Sequence, residues 1–464
     1  MPQYFSPGVY VEEIPSAIKA IAGVSTSTAG FIGMIVPDIL DQPLLAVKNE
    51  RIGTGDGKIA TFKLNYYPVK TDAKFEIRVG GAPADKMTVT LSNEKADPDK
   101  TKHFSQVKFS VSPADKAEIT ADYQPQFEPI EVGKAKLCTN FSQFKKFFGD
   151  FSSDSGHNIL AHAVYGFFKN GGSRCYVIRI KEDKDLQQAL DEFERIDEIA
   201  LVAMPGKIDE ITRDKLVIHC NETGDRFAIL DGPQSESDLL KLTKIAADSG
   251  SMPKRTDLAA WYFPWIKVFD PVSNGSLDVP PSGHIAGIYA RVDTERGVYK
   301  APANEAILGA LDVTQRISKA EQDRLNPKGV NCIRVLNDNI LVWGARTIGG
   351  DDNQDLKYIN VRRTLLFLRE SIDEGTQWAV FEPNTPELWK KITRNVSAFL
   401  TVVWRDGALF GNTQQEAFYV KCDAETNPPE LRELGQVVTE IGVAIVRPAE
   451  FVIFRISQFS ATNQ

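Results

Sequence analysis

Several stretches of this sequence hold residues that could do chemistry. Gly53-Thr54-Gly55-Asp56-Gly57-Lys58 has the glycines and lysine of a phosphate loop. Such a loop needs four residues between its outer glycines, a Ser or Thr after the lysine, and a helix to follow. Here three residues intervene, Ile59 follows, and the chain continues as an alternating strand pattern. The stretch reads as a glycine-rich β-turn. Pro280-Pro281-Ser282-Gly283-His284 places a serine near a histidine, but no G-x-S-x-G elbow surrounds it. It reads as a turn before the run HIAGIYARVD. Asp351-Asp352 and Glu12-Glu13 are adjacent carboxylates, which on a strand point to opposite faces and form no acid/base couple. The histidines at 103, 157, 162, 219 and 284 form no HExxH pair. Cys138, Cys175, Cys220, Cys332 and Cys422 are scattered and never in CxxC spacing, so they read as reduced, buried small hydrophobes. These residue types predict no catalytic residue, no cofactor and no metal: a protein that is not an enzyme.

The elements that would position any site follow from pattern. With 464 residues, 42% hydrophobic and 25% charged, the chain can form several domains with real cores. A net charge of −8 argues against a general nucleic-acid binder. There is no signal-peptide pattern and no run of 18 apolar residues, so synthesis in the cytoplasm and no membrane insertion are expected. Residues 1–20 look like an arm: Val9, Tyr10 and Val11 are strand formers between Pro7-Gly8 and Pro15, with Ile14 behind them and no hairpin to return a partner strand. Residues 21–49 start the core with the buried-strand pattern AGFIGMIV. Residues 50–128 are short alternating runs cut by Gly, Pro, Asp and Asn, which predicts a small all-β sandwich or barrel inserted into the core and facing outward. Residues 129–340 alternate strands and helices around a covered sheet. Within them LLKLTKIAADS reads as a helix, LVIHCNETGDR as a helix tail or loop, and WYFPWIKVFDP as one strand. Residues 341–446 carry two strong helices and then strands, and 447–464 end in the strand pattern of Phe451, Ile453, Phe454 and Ile456. The class is a mixed α+β, α/β multidomain chain with extended terminal arms.

One surface stands out. On a helix from Pro386 to Arg405, with Thr385 as the expected N-cap, Leu388, Ile392, Val396, Phe399, Leu400 and Val403 share one stripe. The other face carries Lys390, Lys391, Arg394 and Arg405 among Ser397, Ala398 and Thr401, with no acid expected on it. A solvated face ordinarily mixes both signs. A basic face with small residues suits close docking on an acidic partner.

The C-terminal half resembles the contractile tail-sheath family, which includes phage tail sheaths, R-type pyocin sheaths and sheaths of extracellular contractile injection systems. The resemblance rests on PWIKVFDP (264–271), VPPSGHIAGIYARVDTERGVYKAPANE (279–305), LNPKGVNCIRV (325–335), WGARTI (343–348), YINVRR (358–363), SIDEGTQWAVFEPNTPELW (371–389), FLTVVWRDGALFG (399–411), EAFYVKCDAETNPPE (416–430) and PAEFVIFRISQ (448–458). YFSPGVYVEEIPS (4–16) and STAGFIGM (27–34) resemble the family's N-terminus. Residues 50–128 lie outside the common core and resemble small β modules inserted in some sheath paralogues.

The resemblance implies a structural subunit that stacks as six-fold rings around an inner tube, assembles extended, and contracts to drive the tube through a target envelope. Its implied partners are itself, the inner tube protein, baseplate and terminator or cap proteins, and paralogous sheath subunits. It would end in a released, extracellular tail-like particle or virion. Subunits would be linked by exchanged arms, with Val9, Tyr10, Val11 and Ile14 at one end and Phe451, Ile453, Phe454 and Ile456 at the other joining a neighbour's sheet. The family's tube contact is a helix of the core domain, and Lys390, Lys391, Arg394 and Arg405 are the candidates for it. Two alternatives remain at this stage: a type VI-like sheath component, and a surface- or receptor-binding protein acting through the β insertion.

Overall fold

The computed structural model describes residues 20–35, 47–64, 69–71, 74–84, 89–94, 104–125 and 131–453. The described residues fall into two compact units. One comprises 25–363 with 448–453, the other 20–24 with 364–447.

The larger unit is built on a nine-stranded sheet. Its middle is parallel: β10 (Cys175–Ile180), β1 (Ala29–Met34), β11 (Leu201–Ala203), β12 (Phe227–Asp231), β13 (Ala259–Phe263) and β18 (Val330–Leu336) lie side by side in that order. The edges are antiparallel, with β9 (Lys136–Cys138) on one side and β19 (Asn339–Val342) then β16 (Glu305–Ala306) on the other. Strands covered on both faces read as near-continuous apolar runs. FAILD in β12 and AAWYF in β13 are buried at every position. The cover comes from α1 (Phe141–Phe148), α2 (Ser155–Lys169), α3 (Leu186–Glu194), α4 (Glu210–Thr223), α5 (Ser282–Glu295) and α6 (Lys319–Leu325). Helices α2 and α5 cross closely: a Cβ on Gly283 would lie 2.3 Å from the Ala163 carbonyl oxygen, and one on Gly287 2.4 Å from that of Phe167. A separate three-stranded antiparallel sheet joins β14 (Ile266–Asp270) to β15 (Gly275–Val279) and β17 (Ala310–Val313).

Between β1 and β9 the chain makes two antiparallel sheets. One orders β2 (Val47–Thr54), β8 (Glu118–Tyr123), β4 (Glu76–Val79) and β5 (Ala82–Pro83); the other orders β3 (Thr61–Lys63), β7 (Phe104–Phe109) and β6 (Val89–Glu94). They share a core that includes Phe62, Val69, Val107, Phe109, Ile119 and Tyr123, with the Phe62 and Phe109 rings edge-on at 5.8 Å. In the Gly53–Lys58 stretch, Gly53 and Thr54 end β2 and the remainder is a turn. Asp56 Oδ1 accepts from the Lys58 and Ile59 amides at 2.8 and 2.6 Å, and Gly57 sits at φ 72°.

Three local expectations change. LLKLTKIAADS forms two 3₁₀ turns, Leu239–Thr243 and Ala246–Asp248, with Leu242 alone buried; without an apolar stripe a longer helix gains no packing. In LVIHCNETGDR, Leu216–Thr223 is the tail of a helix longer than the pattern shows, α4, capped by Asp209 and stopped by Gly224 at φ 71°. Its stripe is blurred because Ile211 and Ile218 face solvent. WYFPWIKVFDP is two strands, since Pro264 lacks the N–H that would extend β13.

In the smaller unit the main elements are the body of α7 (Ile359–Thr376), α8 (Pro386–Arg405) and a two-stranded antiparallel sheet of β20 (Phe418–Lys421) and β21 (Glu440–Val443). Residues 20–24 join it through the Val24 amide, which donates to Ser371 Oγ at 3.1 Å.

Candidate assembly surfaces

Helix α8 has the predicted buried stripe. Leu388, Ile392, Val396, Phe399, Leu400 and Val403 are all buried, and Trp389 and Asn395 widen it. Pro386 opens the helix, while Thr385 takes the N-cap backbone geometry without a side-chain cap bond. The sequence reading expects the opposite face to be free of acid, and it is not. Glu387 stands one turn before Lys391 and pairs with it at 3.2 Å. A carboxylate belongs in a first turn, where it meets the positive helix end. Lys390, Arg394 and Arg405 are exposed and form no ion pair among the described residues, so these three carry the unpaired charge.

The β20–β21 sheet presents backbone edges that no other named strand pairs among the described residues. Leu409 bridges to Ile445 at one corner, where the Phe410 amide donates to the Ala444 carbonyl at 2.7 Å. The Tyr419 ring lies over Gly442, whose Cβ position is 2.1 Å from Tyr419 Cε1. Phe410, Tyr419 and Leu434 are exposed at 75%, 59% and 71%, which is unusual for large apolar side chains.

Of the predicted arm residues, Phe451 and Ile453 lie within the described chain. They are 70% and 78% exposed and form no ladder there. A strand needs a partner, and a single chain supplies none at this point among its described residues. Val9, Tyr10, Val11, Ile14, Phe454 and Ile456 lie outside the described residues.

The catalytic reading of Ser282 and His284 finds no geometry to support it. Ser282 is buried, and its Oγ donates to Asp231 Oδ2 at 2.7 Å. Asp231 also accepts from the Ser282 and Gly206 amides, against a burial that pushes its carboxyl up to about 6. His284 is buried without a partner at Nδ1, and burial holds its imidazole down to about 3. His162 bonds Asp270 at 3.2 Å, and His157 bonds Ser152 and the Phe148 carbonyl. The five cysteines are buried and unpaired.

Buried ion pairs are what sequence reasoning missed. Arg363 grips Asp293 with two nitrogens, both side chains about 95% buried, and lies 4.6 Å from the Tyr289 ring centroid. Arg346, 3% exposed, makes a two-nitrogen contact with Glu450 at 2.9 and 2.8 Å.

Comparison with known proteins then fixes the class. Residues 181–348 match the phage tail sheath protein central domain, and residues 351–459 match the phage tail sheath C-terminal domain. The chain belongs to the contractile tail-sheath family. It is 28% identical over 236 residues to a putative prophage major tail sheath protein of Pseudomonas aeruginosa, covering 50% of this chain and 57% of that protein. It is 26% identical over 196 residues to the tail sheath protein of Burkholderia phage BcepMu, covering 40% of each. The chain thus matches about half the length of these curated relatives. Solved structures extend the likeness along the chain. A chain of the contracted helical sheath of the anti-feeding prophage superposes with a TM-score of 0.64 at 25% identity, covering 98% of this chain and 99% of that one. A chain of the six-fold symmetrised baseplate of the same prophage gives 0.63 at 25% identity, covering 98% and 100%.

Proposed function

We propose that this chain is the structural subunit of a contractile sheath that polymerises as stacked six-fold rings around an inner tube and contracts to drive the tube through a target envelope. One observation carries the reading: both sheath domains lie on one chain, and the second of them holds a two-stranded sheet with unpaired edges among the described residues. An exposed edge is a template for a strand from another chain. The arms supply such strands. About 1 kcal/mol per net hydrogen bond does not cover an ordering cost of roughly 1–2 kcal/mol per residue. Burial of Val9, Val11 and Ile14, about 1.5–3 kcal/mol each, tips the balance. Each link is then modest, and a subunit held by several at once is held firmly.

The remaining partners follow from the same reading. The α8 face of Lys390, Arg394 and Arg405 docks on an acidic inner tube in the extended state. The two-sheet region of residues 47–125 is an inserted module that projects from the sheath without taking part in its contacts. Baseplate and cap proteins meet the ends of the polymer, and the finished particle is released from the cell. A type VI-like sheath divides its core between two chains, whereas this chain carries both sheath domains. The test is to co-express the chain with its tube protein and to compare it with a Lys390→Glu/Arg394→Glu variant. Wild-type length and yield in the variant would remove α8 as the tube contact.

A further inference from the structure

Glu450 sits where the C-terminal segment leaves the smaller unit. The chain up to Arg447 belongs to that unit, and 448–453 belong to the larger one. Its carboxylate accepts four hydrogen bonds there. Oε1 accepts from Asn326 Nδ2 at 2.7 Å and Arg346 Nε at 2.9 Å. Oε2 accepts from Arg346 Nη2 at 2.8 Å and the Tyr358 hydroxyl at 3.0 Å. Arg346 is held in turn by Asp351 Oδ1 at 2.8 Å and the Asn326 carbonyl at 3.2 Å, and Lys357 steadies Asp351 from 3.3 Å. Asn326, Arg346, Tyr358 and Glu450 come from four of the sequence stretches that resemble sheaths, LNPKGVNCIRV, WGARTI, YINVRR and PAEFVIFRISQ. None of the four is spent on a catalytic or cofactor site.

The next residues change character at once. Phe451, Val452 and Ile453 are at least 70% exposed, an apolar run with nothing of its own chain over it among the described residues. A bidentate arginine–carboxylate pair fixes direction as well as position. The segment just before β1 is fastened alike. Thr26 Oγ1 donates to Asp293 Oδ2 at 2.6 Å, and the Thr26 carbonyl accepts from Arg363 Nη2 at 2.8 Å.

We infer that Glu450 is the positioning residue of the C-terminal arm: clamped by Arg346, Asn326 and Tyr358, it roots the arm in the larger unit and aims the apolar run Phe451–Ile453 at a neighbouring copy. The inference rests on the sheath reading above. An aimed strand has less freedom to lose on docking than a strand that pivots from Arg447, and a root in the larger unit carries tension from the neighbour into the nine-stranded sheet.

Hydrogen–deuterium exchange on the unassembled full chain tests the clamp without relying on assembly. In Glu450→Ala, a peptide spanning 345–359, which carries Arg346 and Tyr358 and whose Thr347 and Ile359 amides are hydrogen-bonded, should exchange about tenfold faster while peptides from β12 and β13 keep their wild-type rates. Tyr358→Phe, which deletes one bond and keeps the ring, should give a smaller rise in the same peptide. The same variants are then assembled, and tubes are counted by negative-stain microscopy beside wild type. Fewer and shorter tubes from Glu450→Ala, with wild type normal, support the inference. Unchanged exchange at 345–359, a rise shared by β12 and β13, or normal tubes from Glu450→Ala overturn it. Absence of tubes from wild type itself removes the sheath reading and leaves the exchange result to stand on the clamp alone.

Discussion

At the scale of single residues, the buried charges matter most. Arg363 and Asp293 are both withdrawn from water, so neither tolerates loss of the other. Asp293→Ala leaves a buried guanidinium without its carboxylate and should cost about 3–5 kcal/mol, read from urea unfolding. A surface pair such as Lys391–Glu387 should be nearly silent in the same experiment. The buried histidines predict a pH dependence. Burial holds His284 down to about 3 and His219 to about 4, against an ordinary 6.5. Below pH 6.5 the unfolded chain binds protons that the folded chain refuses, so stability is full above 6.5 and falls on acidification. Glu450 acts in the same direction, lower down. Its carboxyl is held below the ordinary value by Arg346 and Asn326 despite partial burial, so its stabilising contribution starts to fall only once the pH is below the ordinary glutamate range, and the clamp itself goes at a still lower pH. Urea midpoints should decline from pH 7 to pH 5; a flat profile would contradict the histidine assignment. None of these pairs is legible in the sequence. Arg346 and Glu450 are 104 residues apart, and Arg363 and Asp293 are 70 apart, distances over which no local pattern carries information.

At the scale of elements, α8 separates two kinds of residue that the sequence also separates. Leu400 is fully buried, and Leu400→Ala should cost about 2–5 kcal/mol by cavity formation. Lys390→Glu and Arg394→Glu lie on the exposed face and should shift stability by no more than about 0.5 kcal/mol while reducing tube attachment. A thermal melt paired with a co-purification assay distinguishes the two. The stripe was readable because period-3.6 apolar spacing is a local signal. The acid on the cationic face was overlooked because Glu387 precedes the basic run and reaches Lys391 only through the i,i+4 geometry of the helix. Of helix α4 only the tail was legible, for the opposite reason: its apolar residues are spread around the wheel.

At the scale of the molecule, alternation of β-strand and helix was legible because strands buried on both faces read as apolar runs between amphipathic segments. The strand order was not, because placing β1 between β10 and β11 depends on long-range pairing. The two-sheet region after β1 was legible by its short alternating runs. The contacts that make a polymer involve other copies, so neither the sequence pattern nor one chain's fold displays them; under the proposed reading they form at the β20–β21 edges, unpaired among the described residues, and at the exposed run Phe451–Ile453. Removing residues 1–16, which lie outside the described residues, takes away the proposed N-terminal arm, so the variant should stay folded by circular dichroism yet fail to polymerise.

The most direct measurement is negative-stain microscopy of the full chain co-expressed with its inner tube protein, beside the variant lacking residues 1–16. The sheath account predicts hollow, striated cylinders from the full chain and only dispersed subunits from the variant. Dispersed subunits from both, or cylinders of normal length from the truncated chain, would contradict it.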